Sequence, residues 1–171
     1  GRTVYDGGGI LPDVQIDETK LATVSEALQK NDALFNFATK LYYKNPTLEG
    51  IPMISDADFL AFKQFLKTEK INLETETSKA LKNVLEQAKK ENIDAQIAPS
   101  YTLLEQAIEK NTDIELDKNK NQIKKLLQDE LLIRYQYRDG LYKFYTKNNL
   151  EIQKAMAVLK DQSLYNSILK K

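Results

Sequence analysis

The side chains able to do chemistry in this sequence are few in kind. Its 171 residues contain no His and no Cys. That removes a Ser-His-Asp triad, a thiolate nucleophile, zinc sites built on His or Cys, haem and iron–sulfur ligation. Ser, Thr, Lys, Tyr and carboxylates remain. Ser167-Ile-Leu-Lys170 has the Ser-x-x-Lys spacing that pairs a nucleophile with a base in penicillin-binding enzymes, but the companion Ser-Asp-Asn and Lys-Thr-Gly elements are missing. At the end of a chain it also lacks the rigid surroundings that catalysis needs. Ser167 reads as a surface helical residue.

Three further patterns invite a chemical reading. Asp113, Glu115, Asp117 and Asn119 imitate the start of a calcium loop, but the sixth position is Lys118 instead of Gly and the twelfth is Lys124 instead of Glu. The expected role is a loop and helix cap. Gly7-Gly8-Gly9 fits neither a dinucleotide fingerprint, whose sixth place would be Pro12, nor a Walker loop, which needs Gly-Lys-Ser/Thr. Turn glycines with positive φ are the simpler reading. Glu130, Arg134 and Arg138 share one helix face at four-residue intervals. They form either a solvated salt bridge worth a few tenths of a kcal/mol or a partly buried clamp between helices. Tyr135, Tyr137, Tyr142, Tyr145 and Tyr165 fall at mixed helical phases, which favours a core edge meeting water over a binding patch.

The elements that must carry these residues are mostly helices. Arg2–Tyr5 and Ile10–Ile16 have strand character around the Asp6-Gly7-Gly8-Gly9 turn, which predicts a β-hairpin with Pro12 at an edge or bulge. From Thr23, where Glu26 gives capping-box spacing, one helical stripe runs through Val24, Leu28, Leu34, Phe35, Ala38, Leu41 and Tyr42 to a stop at Asn45-Pro46. Ser55 and Asp58 cap a second helix bearing Phe59, Phe62 and Leu66. After an extended Ile71–Leu73, a third helix starts near Thr75 or Thr77 with Leu81, Val84, Leu85 and Ala88 inward and Lys89-Lys90 at its C-terminus. A fourth is expected from Pro99. A fifth, capped by Asp117, carries Ile123, Leu127, Leu131 and Arg134 and ends or bends at Gly140. Asn148 and Glu151 cap a last helix through Ile152, Ala155, Met156 and Leu159, with a final turn or two at Leu164–Leu169. The fold class is therefore mainly α: a helical bundle preceded by a short β-hairpin.

Composition sets outer bounds. A chain of this length buries roughly 70% of its extended-chain surface, enough for a real core. Hydrophobic residues make up 42% and charged residues 29%, and the formal net charge is zero. That balance lacks the basic excess of a general nucleic-acid binder, and no run is apolar enough to span a bilayer. The chain shows no signal peptide and no initiator Met, so the expectation is a processed product or a recombinant piece, with Gly1 either native or a tag remnant.

The opening stretch, GR-x-V-Y-D-G-G-G-I-x-P-D over Gly1, Arg2, Val4, Tyr5, Asp6, Gly7, Gly8, Gly9, Ile10, Pro12 and Asp13, resembles a segment near the end of the catalytic core in carboxyl-terminal processing proteases (tail-specific proteases), most closely the Bacteroidetes type. Leu28, Phe35-x-Phe37-Ala38 and Tyr42 resemble the start of the helical extension that follows in those proteins. The resemblance implies that residues 1–18 are the terminal hairpin of a protease core and 19–171 a helical C-terminal domain. The parent would be a serine peptidase with a Ser-Lys pair and a PDZ domain in the bacterial envelope or periplasm. The family's Ser and Lys lie upstream of the signature, so this chain is expected to be non-catalytic, with no catalytic, cofactor-binding or metal-binding residues and no cofactor. Its expected partners are the catalytic core and PDZ domain of the parent, a second copy in a homo-oligomer, and protein or peptide substrates reached through the parent. Its expected roles are core docking, oligomerisation or control of substrate access. The alternative is a stand-alone helical interaction module without an enzymatic role.

Overall fold

A computed structural model describes residues 12–16, 20–73 and 75–169. Among these are eight helices: α1 (Thr23–Lys30), α2 (Ala33–Lys44), α3 (Asp56–Thr68), α4 (Glu76–Glu91), α5 (Asp94–Lys118), α6 (Lys120–Asn148), α7 (Leu150–Lys160) and α8 (Gln162–Leu169). The protein is thus mainly helical, as its periodicity dictates. The expected hairpin falls largely outside the described residues. Its described part, 12–16, bends at Asp13-Val14 and forms no strand, and no strand occurs among the described residues. The chain divides into two compact units, Leu21–Tyr135 and a second that includes residues 136–169.

The core of the first unit is built by α1, α2, α3 and the first half of α6. Leu28, Ala33, Ala38, Phe62, Ile123 and Leu127 are fully buried, with Phe59, Leu34, Phe37, Leu66 and Leu131 close behind. Phe37 sits 5.1 Å from Phe62 and 5.4 Å from Phe65, ring centre to ring centre, in tilted pairs. Such pairs add about 0.5–1.5 kcal/mol each beyond the area they bury.

Local chemistry sets the helix ends, and several differ from the sequence expectation. The Ser55–Asp58 box forms: Ser55 Oγ accepts the Asp58 N–H at 3.0 Å and Asp58 Oδ2 accepts the Ser55 N–H at 2.9 Å. Thr75 caps α4 the same way through Ser78. Thr23, by contrast, is not a cap; the cap position is Ala22, with no side-chain bond. Gln122 of α6 instead accepts the Ala22 N–H at 3.0 Å, so a tertiary contact fixes the start of α1. The single stripe expected from Thr23 to Asn45 is broken in two at Asn31-Asp32. Asp32 adopts φ 56°, ψ 15°, a left-handed conformation that Asp tolerates, and Asn31 Oδ1 accepts the Ala33 N–H at 3.1 Å.

Pro99 does not begin a helix but lies inside α5, five residues after its first residue. Asp113 and Asp117, expected in a loop and cap, are also helical in α5; the break is at Asn119, whose side chain donates to the Glu115 carbonyl at 2.8 Å. The cap of α7 is Asn149, whose Oδ1 accepts the Ile152 N–H at 2.9 Å, one residue beyond the expected Asn148.

The bend expected at Gly140 sits at Tyr137, with φ 58°, ψ −172°. Gly140 is nevertheless required there. A Cβ on it would lie 2.1 Å from the Gln136 Cβ, so only glycine fits the close approach that the break creates.

Candidate functional site

The first candidate from sequence, Glu130–Arg134–Arg138, resolves into a clamp inside the first unit. Arg134 Nη1 donates to Glu130 Oε2 at 2.7 Å and to the Glu130 carbonyl at 2.6 Å. Its Nε and Nη2 reach Thr39 Oγ1 at 3.1 and 2.8 Å, and Nη2 also reaches the Phe35 carbonyl at 2.8 Å. The guanidinium carbon lies 4.4 Å from the Phe35 ring centre. With the Arg134 side chain only 12% exposed, three hydrogen bonds and a cation–π contact join α6 to α2, and the two bonds to Glu130 within α6 hold the guanidinium in place. This is the sharper of the two sequence alternatives. Arg138 lies past the Tyr137 break and is exposed. Arg134 Nε and Nη2 thus bridge to α2, while Nη1 is held within α6.

Tyr135 continues the same seam. Its hydroxyl donates to the Asn45 carbonyl at 2.5 Å, and its ring lies 5.0 Å from Tyr42. Burial, with a smaller contribution from Tyr42, raises the Tyr135 pKa. In the second unit, Tyr137 and Tyr142 are exposed, and Tyr145 packs edge-on to Phe144 at 5.9 Å. Ser167 Oγ donates to the Leu164 carbonyl at 2.8 Å within α8, and Lys170 lies outside the described residues. Among the described residues no group of three or more acidic, His or Cys side chains could hold a metal ion. No helix among them is long and apolar enough to cross a membrane.

The concave feature of the first unit lies where α3 ends against the α4–α5 pair. It is a cleft of about 590 Å³ with Leu66, Leu73 and Leu116 buried in its floor and Leu81, Tyr101 and Ile108 on its walls. One wall is an electrostatic ladder. Lys63 meets Asp117 at 2.8 Å and Lys67 meets Asp113 at 2.8 Å. Four-residue spacing on both α3 and α5 puts successive rungs one helical turn apart. The Asp113 carboxylate, hydrogen-bonded to Lys67, raises the Lys67 pKa. The α5 face continues with Glu109 and Glu105 at the same interval, but α3 stops at Thr68 and the chain turns away at Lys70, φ 50°. A second cleft of about 710 Å³ at the α4–α5 pair shares Leu81 and Ile108 with the first and is further lined by Val24, Ala80, Val84, Leu104 and Ala107.

The sequence reading misses this ladder because it puts Asp113 in a loop and Asp117 at a helix cap instead of on one helix. The four-residue period of Asp117, Asp113, Glu109 and Glu105 was the available signal that they share one helix face.

No curated protein matches the chain, and no solved structure does. The family model of the probable PDZ-protease C-terminal helical domain matches residues 24–159. That span runs from the first turn of α1 to the last turn of α7 and takes in the Arg134 clamp and both clefts. The chain therefore belongs to the family of C-terminal helical domains of probable PDZ-proteases.

Proposed function

We propose that this chain is the non-catalytic C-terminal domain of a Ser-Lys serine peptidase of the carboxyl-terminal processing type, in its Bacteroidetes branch, acting in the bacterial envelope. The family match over residues 24–159 carries this reading. The opening signature from Gly1 to Asp13 supports the finer assignment, with residues 1–18 belonging to the end of the core and 19–171 to the helical domain. Two features of the described residues agree with a supporting role. Arg134 spends its donors on α2 and on Glu130 of its own helix, and the Ser167 hydroxyl is bonded to a backbone carbonyl. Neither is poised to attack a peptide bond.

In this reading the domain docks on the catalytic core, contributes to oligomer contacts, or limits the access of protein substrates. Leu150, Met156, Leu159 and Leu164 on α7 and α8 are exposed.

The test compares the isolated chain with its parent on an unfolded protein substrate. The chain alone is expected to show no cleavage. The parent truncated before Val24 is expected to keep its Ser-Lys chemistry on short peptides while its cleavage of proteins changes. Peptide cleavage by the isolated chain that co-purifies with it through repeated chromatography would overturn the assignment.

A further inference from the structure

We propose that the cleft beyond the end of α3 receives a cationic amphipathic helix from another polypeptide, seated as an extension of α3 along α5. This does not depend on the peptidase assignment.

The argument begins with helix lengths. Where it is present, α3 is tied to α5 by two ion pairs, and the two are antiparallel, since Lys63 pairs with Asp117 and Lys67 with Asp113. The part of α5 from Asp94 to Glu109 continues past the end of α3. At 1.5 Å per residue, that part is about 22 Å long. Two helices side by side leave a groove that a third helix fills, and here the third helix ends at Thr68. The α4–α5 pair shows the result: in α4 only Ala88 is buried, and in the 25 residues of α5 only Leu116.

Charge selects the occupant. Along the ladder each acid of α5 meets a lysine four residues from the last. Glu109 and Glu105 are the next two rungs, and neither has a hydrogen bond or ion pair among the described residues. The Glu109 charge is felt at Lys67, so it lies in line with the rungs below it. Lys70 and Lys82 also border the cleft, but Lys82 is already engaged and Lys70 lies on the turn that leaves α3. A helix with Lys or Arg four residues apart, and an apolar stripe toward Leu81, Tyr101 and Ile108, continues both the ladder and the apolar floor. Grooves that accept one face of an amphipathic helix are a common mode of peptide recognition.

The experiment uses the whole chain and fluorescein-labelled peptides of about 15 residues, the length of the open part of α5. One has a Leu stripe flanked by Lys four residues apart; in the other every Lys is replaced by Glu. Anisotropy at low salt is expected to show the basic peptide binding at least tenfold more tightly than the acidic one. The preference should shrink as salt screens exposed charge. Glu105→Lys with Glu109→Lys should reverse the preference, and the milder Glu105→Gln with Glu109→Gln should abolish it. Val84→Asp, in the second cleft, should leave it unchanged. Circular dichroism verifies that each variant is folded. Equal binding of the two peptides, binding unaffected by the glutamate replacements, or sedimentation showing that a second copy of the chain fills the cleft would each overturn the proposal.

Discussion

Two parts of the first unit follow the same helical grammar and end in opposite states. Where α1, α2, α3 and the first half of α6 meet, large side chains vanish from solvent: Leu28, Phe62, Ile123, Leu127 and Leu132 are fully buried. In α4 and α5 the stripe is just as regular, yet Val84, Leu103 and Leu104 are more than half exposed. A periodic apolar stripe reports that a helix has a face to bury. It does not report whether the rest of the chain supplies the partner. The core part buries one shared cluster from α1, α2, α3 and α6, whereas α4 and α5 each contribute one buried apolar residue among the described residues, Ala88 and Leu116.

The comparison breaks most easily at its centre. Phe62→Ala is expected to cost about 3–5 kcal/mol, the range for truncating a buried aromatic residue. Val84→Ala is expected to stay within about 0.5 kcal/mol, as at exposed sites. Urea titration of the two variants checks this. A Val84→Ala loss close to that of Phe62→Ala would mean the α4 stripe is covered after all.

The Arg134 clamp gives a second, smaller contrast. Arg134→Ala removes the guanidinium donors from the Thr39 hydroxyl and the Glu130 carboxylate and one of the donors to the Phe35 carbonyl, which keeps the Thr39 hydroxyl. A loss of about 2–3 kcal/mol is expected, because partners left unsatisfied in a partly buried site carry their own desolvation penalty. Arg134→Lys should recover only part of it, since an ammonium cannot reproduce the planar fork. Removing either ladder lysine, Lys63 or Lys67, should cost no more than about 1 kcal/mol, as for other ion pairs facing water. Thermal melts distinguish the cases, and an unchanged melting temperature for Arg134→Ala would remove the clamp from the list of what holds α6 to α2.

The smallest effect is a pH response. The raised pKa of Tyr135 means that folding favours the neutral phenol. Its contribution is fully present below the unfolded value of about 10 and is lost as pH rises through the higher folded value. Lys67, also raised, has the same sign, so both work against the fold in alkali. Tyr135→Phe removes the bond to the Asn45 carbonyl, worth about 1 kcal/mol. It should also flatten the fall in stability above pH 10, seen in melts between pH 8 and 11. An unchanged alkaline slope would assign the loss to lysines alone.

Much of this architecture is legible from side-chain order. Ser55, Thr75 and Asn45-Pro46 announce their helix ends because the chemistry is local: one side chain serves amides three residues away, or a ring forbids the next turn. The core stripes Phe59–Phe62–Leu66 and Ile123–Leu127–Leu131 are legible for the same reason. The misplaced boundaries are those decided at a distance. Ala22 is held by Gln122, a hundred residues later in the chain, and nothing near Thr23 records that. Asp32 and Tyr137 take left-handed φ values at residues other than glycine, which local propensity disfavours and the surroundings impose. The candidate site was hidden by one misjudgement of this kind. Once Asp113–Asp117 is taken as a loop and helix cap, the acidic face of α5 disappears. The resemblance of the first residues to a protease core and the family match over residues 24–159 rest on different stretches of the chain, and they lead to the same kind of enzyme.

Pro99 gives the α4–α5 pair a property that its exposure alone does not. Proline has no amide hydrogen, so the Ala95 carbonyl receives no bond from residue 99. The residues from Asp94 to Ala98 are thus tied to the rest of α5 by one rung fewer, at the end farthest from the core helices. In hydrogen–deuterium exchange α5 should be graded: amides before Pro99 exchange within the earliest time points, and protection rises toward Leu116, where the helix meets the core. Whatever settles against this pair would be read as slower exchange spreading back along α5 toward the proline.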